Sequence, residues 1–367
     1  MIISRRRLLL NACALVTTAP LLFTRNSYAA AEQELKILGR WKTGNGVLSP
    51  FTVDGPRLYL SGDKTLEAWD IDRGERLWQQ PLSAGSSFRP RLAEDRIITG
   101  GHHQLAVWNK AGGEPRWSRA PREGHQLGLP LYNDGRIHFG EGSELITVDV
   151  ETGKTLWTFP TVEGSQVGYA ATVYKDTILV GPGAGPLYAL SARDGKLLWS
   201  IDNSVKWQYL RQLHVSGDIL VAGGYKDNLF GIDPAQGKIM WSFESGNFIN
   251  SHLVVGNMAY FWSSRGWIFA INIKTGGVVW RHRTMDYQKK WLEENWSAVM
   301  AEIVSDGKSI YILDMKDVLR ILDAKTGDKT ATYKLPIQSR YFITLIPGTR
   351  RMAFGSREGD VLLTEMP

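Results

Sequence analysis

Residues Ala68-Trp69-Asp70-Ile71-Asp72-Arg73-Gly74-Glu75-Arg76-Leu77-Trp78 contain the motif on which the fold prediction rests. The motif is an apolar run, then Asp or Asn (Ser in one copy), three residues, Gly, three residues and Trp. It recurs at Asn109, Gly113 and Trp117; at Asp149, Gly153 and Trp157; at Ser191, Gly195 and Trp199; at Asp233, Gly237 and Trp241; and at Asn272, Gly276 and Trp280. A seventh copy has Asp323 and Gly327 but Ala331 in place of Trp. The motif tryptophans lie 39 to 42 residues apart, a period typical of repeat folds.

Each part of the motif has a physical reason. The alternating apolar run predicts a strand. Asp or Asn closes a tight turn through its side chain, and Gly supplies the positive φ needed to leave that turn. The next strand ends on Trp, whose large ring can pack on a neighbouring unit. Earlier hairpin signals such as Asp54-Gly55 and Asp134-Gly135 precede the motif. Each unit of about 40 residues therefore holds about four short strands, the content of one propeller blade.

The two ends of the chain complete the number of blades. Residues 355–363 resemble the third strand of a blade, and Leu38-Gly39-Arg40-Trp41 resembles an outer strand without its blade. Trp41, the six motif tryptophans and the Ala331 position together give eight. We therefore predict an all-β fold: residues 30–367 form a single domain, an eight-bladed β-propeller of four-stranded blades. The N-terminal strand is expected to join the C-terminal blade, which removes exposed sheet edges.

Residues 1–29 predict a signal peptide. Ser4-Arg5-Arg6-Arg7-Leu8-Leu9-Leu10 is a basic start that leads into an apolar stretch, and Ser27-Tyr28-Ala29-Ala30-Ala31 offers small residues for cleavage after Ala29 or Ala31. The Ser-Arg-Arg-x-Leu-Leu run resembles a twin-arginine (Tat) signal. A general secretory signal and a lipoprotein box at Cys13 are the alternatives. The predicted location is the periplasm of a Gram-negative bacterium, in soluble form after cleavage.

Charge and cysteine content exclude several classes. The net charge is +6, but four arginines and no acid lie in residues 1–29, so the rest of the chain is nearly neutral. A surface without a basic run gives no reason to expect nucleic acid binding. The one cysteine, Cys13, lies in the predicted leader. No later apolar run approaches the ~20 residues that a membrane span requires.

The motif resembles the PQQ-type propeller repeat, Ala-x-Asp-x-x-x-Gly-x-x-x-Trp, of the quinoprotein-like family. In the dehydrogenase branch, the resemblance implies a PQQ cofactor with calcium, a disulfide between adjacent cysteines and a catalytic Asp. This chain is shorter than those enzymes and has no cysteine after the leader. In size, blade count and the missing Trp of the penultimate repeat, it resembles the BamB branch, accessories of outer-membrane assembly that bind protein partners. This branch implies a scaffold, and we predict neither a cofactor nor a metal for this chain.

The innermost strand of each blade is expected to line the central channel. Most of the residues on these strands are small or apolar. The polar exceptions, Arg89, Arg211, Asn250 and Glu302, form a candidate ligand-binding set. Arginine suits a carboxylate or phosphate because it binds these groups with a bidentate fork. In the alternative interpretation, Arg89 or Arg211 only forms an ion pair with Glu302 or an end loop.

Two further groups of residues stand out. About ten extra residues follow Trp280, and a helical element is predicted there. Tyr287, Trp291 and Trp296 in this segment form a candidate partner-binding rim; a decorative loop is the alternative. The adjacent His102 and His103 fall in a predicted hairpin turn, where a metal site is not expected. Structural packing between blades is predicted for seven tryptophans: Trp41, Trp78, Trp117, Trp157, Trp199, Trp241 and Trp280.

The predicted function is a non-catalytic scaffold for a periplasmic or outer-membrane protein or peptide, active as a monomer. Binding could use strand addition or the channel mouth. No catalytic motif such as a nucleophile elbow, a Walker loop or HExxH occurs in the sequence. The alternative is a quinoprotein-like oxidoreductase, or a ligand-binding subunit of a periplasmic redox system, with PQQ and calcium in the channel.

Overall fold

The computed structural model describes residues 34–367, except 45, 48, 87, 170, 208–209, 225, 247–248, 285–295 and 300–301. The described residues form 32 strands in eight four-stranded antiparallel sheets, arranged as an eight-bladed β-propeller. The predicted fold class is therefore confirmed. The leader, residues 1–29, lies outside the described residues.

The first strand, β1 (Ile37–Lys42), precedes the blades, which then follow in chain order. Blade 1 contains β2 (Thr52–Asp54), β3 (Arg57–Ser61), β4 (Thr65–Asp70) and β5 (Glu75–Pro81). Blade 2 contains β6 (Arg91–Ala93), β7 (Arg96–Gly101), β8 (Gln104–Asn109) and β9 (Pro115–Arg119). Blade 3 contains β10 (Leu131–Asn133), β11 (Arg136–Glu141), β12 (Glu144–Asp149) and β13 (Thr155–Pro160). Blade 4 contains β14 (Thr172–Tyr174), β15 (Thr177–Val180), β16 (Leu187–Ser191) and β17 (Leu197–Ile201).

The second half repeats the same order. Blade 5 contains β18 (Leu210–Ser216), β19 (Ile219–Gly224), β20 (Asn228–Asp233) and β21 (Lys238–Glu244). Blade 6 contains β22 (Ile249–Val255), β23 (Met258–Ser263), β24 (Trp267–Asn272) and β25 (Val278–Arg283). Blade 7 contains β26 (Val304–Ser305), β27 (Ser309–Leu313), β28 (Val318–Asp323) and β29 (Lys329–Lys334). Blade 8 contains β30 (Thr344–Ile346), β31 (Arg351–Gly355) and β32 (Asp360–Glu365), and β1 is its fourth strand.

The strands run from the axis outwards within each blade. First strands of neighbouring blades contact each other, as β6 does with β10 and β18 with β22, so they line the centre. The fourth strands form the outer wall. Apolar side chains between blades make the core: Tyr59, Leu66 and Ala68 of blade 1 pack with Ile97 and Trp108 of blade 2.

The repeated motif folds as its chemistry predicts. In blade 1, Asp70 Oδ1 accepts hydrogen bonds from the backbone N–H groups of Asp72 and Arg73, both at 2.9 Å. The Gly74 N–H donates to the Asp70 carbonyl, and Gly74 has a φ of +65°. Asp323 in blade 7 accepts the same pair of hydrogen bonds, from Lys325 and Thr326. The turn joins the third strand of a blade to the fourth.

A β-bulge precedes each motif tryptophan in the outer strand. In blade 3, Trp157 lies opposite Thr147 and Thr155 lies opposite Val148, so Leu156 is the extra residue. The same shift makes Leu198 the extra residue in blade 4. Equivalent extra residues are Leu77, Arg116, Met240, Val279 and Thr330. A bulge interrupts the ladder of backbone groups at an edge, so these outer strands are poor templates for strand addition.

Strand β1 closes the ring, as predicted. It pairs with β32 in antiparallel register, with Trp41 opposite Val361. Arg40 and Lys42 donate hydrogen bonds to the nearly buried Asp360 at 3.1 and 3.4 Å. Burial raises the pKa of Asp360, but hydrogen bonds from Ser356, Arg40 and Lys42 outweigh that effect and lower it. The closing strand is thus held by charge as well as by backbone pairing.

Candidate functional site

The structure brings two of the four predicted channel residues together. Arg89 precedes β6 of blade 2, and Glu302 precedes β26 of blade 7; their side chains lie 3.9 Å apart, from Nη2 to Oε2. Both are partly exposed, and an ion pair of this kind contributes little to stability. Arg211 lies in β18 and Asn250 in β22, but their side chains lie outside the described part of the chain. Two blades therefore face each other across the axis through opposite charges.

Arg91, which the sequence analysis missed, belongs to the same cluster. Its side chain is exposed to solvent, although protein atoms surround it, as expected for a channel wall. Because these protein atoms displace water from the guanidinium, they lower the pKa of Arg91. The positive charge of Arg89 lowers it further, and the negative charge of Glu302 raises it. We call Arg89, Arg91 and Glu302 the channel cluster. It has one more positive than negative charge, so it favours an anion.

A pair of histidines stands behind the channel wall. The rings of His214 in β18 and His252 in β22 meet edge to face, 4.8 Å between centroids. Burial lowers the pKa of both, and Glu302 opposes the shift at His214. Gln212 Oε1 accepts a hydrogen bond from the His252 backbone N–H at 2.6 Å. This arrangement joins the inner strands of blades 5 and 6 and keeps both rings neutral near neutral pH.

Outside the channel, a cleft of about 350 Å³ lies beside blade 3. Its floor contains Glu141, whose side chain is fully buried and accepts hydrogen bonds from Arg119, at 3.1 Å, and from the Arg122 backbone. Burial raises the pKa of Glu141, but the Arg122 N–H and the charges of Arg122 and Arg119 lower it overall. The carboxylate is therefore engaged in holding the loop before blade 3.

The predicted aromatic rim differs from the structure at one residue. Trp296 is only 5% exposed and packs with Tyr260 and Trp280 in a hydrophobic cluster between blades 6 and 7. The Arg320 guanidinium lies 4.3 Å from the centre of the Trp296 ring, and Arg320 donates to the buried carboxylate of Asp314. Trp296 therefore belongs to the core and offers no exposed rim contact. Tyr287 and Trp291 lie outside the described residues, as does the predicted helical element.

The motif tryptophans contact the next blade in a repeated way. A Cβ atom on Gly195 of blade 4 would lie 2.6 Å from Trp157 Cε3 of blade 3, so only glycine fits there. The Trp157 Nε1–H donates to the Ala192 carbonyl at 3.3 Å. Equivalent bonds of 2.7 to 3.2 Å start from Trp117, Trp199, Trp241 and Trp280.

Ala331 breaks this series for a structural reason. Each tryptophan packs on the glycine in the turn between the third and fourth strands of the next blade. In blade 8 those strands are β32 and β1, which no turn connects, so a tryptophan at 331 would have no such glycine. Trp41 packs on Gly74, but more loosely, because a Cβ on Gly74 would lie 3.4 Å from the Trp41 ring, and a cleft of about 240 Å³ lies at this seam.

The outer wall carries exposed aliphatic side chains that the sequence analysis did not single out. Leu77 of blade 1 and Ile37 and Leu38 of β1 are among them. In blades 3 to 6 the exposed residues are the bulge residue and, in two of these blades, the residue before it: Leu156, Leu197, Leu198, Met240, Val278 and Val279. Their exposed fractions are 44 to 55%. They cover four consecutive blades, 3 to 6, and we call them the aliphatic wall. The signal was present in the sequence, as the residue type directly before each motif tryptophan.

The adjacent histidines, possible metal ligands and possible membrane-spanning helices are described next for residues whose positions the structure gives. His102 and His103 lie in the turn between β7 and β8, as predicted. Among the described residues, no three His, Cys, Asp or Glu side chains converge as a metal site would require. Nor does that part of the chain contain a helix long and apolar enough to cross a membrane.

Comparisons with known proteins agree with this architecture. A family model described as outer membrane protein assembly factor BamB matches residues 62–208 and 202–341. No curated protein matches the sequence.

Solved structures of similar fold include three propellers. BamB from Moraxella catarrhalis has a TM-score of 0.72 and 17% identity, with 91% of this chain and 98% of that chain covered. The designed protein Ika8 has a TM-score of 0.73 and 14% identity, with 91% and 99% covered. A quinohemoprotein alcohol dehydrogenase from Pseudomonas putida HK5 has a TM-score of 0.72 and 11% identity, with 90% and 76% covered. At these identities, the three structural similarities concern the fold alone.

Proposed function

Since the chain belongs to the family of the outer membrane protein assembly factor BamB, we propose that it is a non-catalytic scaffold that binds a protein partner in the periplasm. The observation that carries this proposal is the aliphatic wall. Large apolar side chains that stay exposed on four neighbouring blades cost free energy in water, and such surfaces mark sites of protein association. The propeller supplies a rigid frame that needs no rearrangement to present them.

The partner is bound by side chains and not by strand addition. Every bulge in the outer strands leaves one residue unpaired at the edge, which disrupts the row of backbone donors and acceptors that an added strand needs. The exposed residues at these bulges provide the alternative contact.

The leader serves export in this proposal. Residues 1–29 direct the chain to the periplasm and are removed after Ala29 or Ala31. The N-terminal sequence of the protein from a periplasmic fraction tests the cleavage. Replacing Arg5 and Arg6 together by lysine should leave the precursor in the cytoplasm if the twin-arginine route is used; normal export of this variant would favour the general secretory route.

Photo-crosslinking in the native cell tests the scaffold. A photoreactive amino acid is placed at Leu198 in the aliphatic wall, at Arg89 in the channel and at Leu77, an exposed bulge residue of blade 1. The full chain with its leader is expressed from its own locus. We expect a discrete adduct with another protein from at least one position. A folded, exported protein that gives no protein adduct from any of them would contradict the scaffold.

A second candidate, ligand binding in the channel, is favoured by the channel cluster. Arg89 and Arg91 exceed Glu302 by one positive charge, which suits a small carboxylate or phosphate. The described residues do not fit a PQQ–calcium centre, because calcium takes six to eight oxygens and the cluster offers one carboxylate. Calorimetry with PQQ, with and without calcium, tests this candidate directly. Saturable heat that is lost in Arg89→Ala would establish a ligand site.

A further inference from the structure

One position of the motif changes charge around the ring. The residue that follows the motif glycine lies at the start of the outer strand or directly before it, and it is exposed in every blade compared below. It is a lysine in blades 3, 4 and 5 and an acid in blades 1, 2 and 7: Lys154, Lys196 and Lys238 against Glu75, Glu114 and Asp328. The same backbone site therefore carries opposite charges on opposite sides of the molecule.

The lysines coincide with the aliphatic wall. At the bulge position, blades 3 to 6 have aliphatic residues, as blade 1 does with Leu77, whereas blades 2 and 7 have Arg116 and Thr330. A lysine and an aliphatic bulge residue occur together in blades 3, 4 and 5, because blade 1 has Glu75 and blade 6 has Gly277 at the lysine position. Lys154 stands two residues before Leu156, and Lys196 and Lys238 stand two residues before Leu198 and Met240. Packing requires neither the lysines nor the aliphatic residues at these positions, because the side chains of both groups are exposed.

Neighbouring parts of the wall are connected through the tryptophan contacts. Leu156 adjoins Trp157, which packs on Gly195, and Lys196 and Leu197 follow directly. The contact of Trp199 with Gly237 continues the wall into blade 5, and that of Trp241 with Gly276 continues it into blade 6. The lysines and aliphatic residues thus lie on the outer strands, or directly before them, of blades that adjoin one another.

We infer that this surface binds an acidic segment of the partner protein that also carries apolar side chains; the inference rests on the proposed scaffold function. Carboxylates of the segment would pair with Lys154, Lys196 and Lys238, while its apolar side chains cover the aliphatic wall. Asp194 of the same turn pairs with Lys196 at 3.1 Å, and because both side chains are exposed, a carboxylate of the segment would share or replace this pair. Opposite charge favours the correct segment, and the acids of the other blades repel it.

Synthetic peptides test the chemistry of the segment. Three fluorescently labelled peptides of about 12 residues, long enough to cover several blades, contain glutamate with leucine, lysine with leucine, or glutamate with serine. Binding to the purified protein is followed by anisotropy. We expect the glutamate–leucine peptide to bind about tenfold more tightly than the other two, and to weaken as salt rises from about 0.05 to about 0.5 M. Equal binding of the lysine–leucine peptide, or no binding of any peptide, would overturn the inference.

Matched variants locate the binding. The double variants Lys196→Glu with Lys238→Glu and Leu198→Ser with Met240→Ser change only exposed side chains, and an unchanged melting temperature verifies their fold. Each should weaken glutamate–leucine peptide binding by about tenfold. The control Leu77→Ser changes an equally exposed bulge residue in blade 1 and should leave binding unchanged. Equal weakening by the control would place the binding elsewhere and refute the inference.

Two further outcomes separate this inference from the scaffold function. Vesicles of phosphatidylglycerol replace the peptides in a sedimentation assay; binding to vesicles without binding to the glutamate–leucine peptide would mean that the wall faces a membrane. Protein adducts from Arg89 but not from Leu198 in the cell would keep the scaffold and reject the wall as its docking surface.

Discussion

Replacing His138 by glutamine should remove a large part of the acid sensitivity of this protein. His138 lies in β11, fully buried, with its ring 5.6 Å from the ring of Trp157 and its Nδ1 2.7 Å from Thr147 Oγ1. Burial lowers its pKa from 6.5 to about 4, and the charge of Arg136 acts in the same direction. Its Nε2 is buried and has no partner among the described residues, so a proton there would gain no hydrogen bond.

The direction of the effect follows from the two pKa values of His138. Above pH 6.5 the imidazole is neutral in both the folded and the unfolded chain, and stability is complete. As the pH falls from 6.5 towards 4, the unfolded chain takes up a proton that the folded chain resists, so stability is lost. Because one pKa unit corresponds to about 1.4 kcal/mol, the loss reaches about 3 kcal/mol below pH 4.

Urea unfolding at pH 7, 5 and 4 measures this loss. The lowered pKa values of His214 and His252 also make the folded protein less stable as the pH falls. The relevant quantity is therefore the difference between the unmodified chain and His138→Gln. We expect His138→Gln to lose about 3 kcal/mol less between pH 7 and pH 4. His102→Gln, at an exposed turn, controls for the removal of a histidine. Parallel pH profiles for the unmodified chain and His138→Gln would refute the reasoning.

The remaining predictions concern the contacts between blades. Trp157→Ala removes a ring and its hydrogen bond to the next blade, and should lower the free energy of unfolding by about 3 kcal/mol; an unchanged melting temperature would exclude a docking function. Gly195→Ala should be clearly more destabilising than Gly55→Ala, since both glycines have positive φ but only the Cβ at 195 meets a tryptophan; equal costs by denaturant unfolding would contradict this packing. Asp314→Ala leaves the buried Arg320 without its carboxylate and should cost about 3 to 5 kcal/mol in the same assay, and a cost near zero would mean that water replaces the carboxylate.

The sequence predicts the fold well because its signal is local and repeated. One short motif contains the turn at Asp70, the positive φ of Gly74 and the spacing to Trp78. Each further copy of the motif supports the same prediction independently. Closure by β1 could also be predicted, because an outer strand without a blade must complete one elsewhere. The features of the motif depend on residues within a few positions of each other.

The candidate site depends on distant residues, and prediction was weaker there. Arg89 and Glu302 meet across the axis from blades 2 and 7, and nothing local in the sequence indicates their distance. Trp296 resembled an exposed aromatic in a polar segment, but Arg320 and Asp314 from the next strands enclose it. The exposure of Leu156 was missed because alternation along a strand fails at a bulge, where one residue is added to the count.

The pairing of β1 with β32 has a consequence for how the molecule is made. Arg40 and Asp360, which meet in this sheet, are separated by 320 residues. A ribosome that adds about 5 to 20 residues per second needs roughly 15 to 60 s between them. During that interval the first strand has no partner and the ring cannot shut. The final hairpin therefore acts as a check on completeness: only a chain translated to its last strand reaches the closed state, and a prematurely terminated product keeps an open edge.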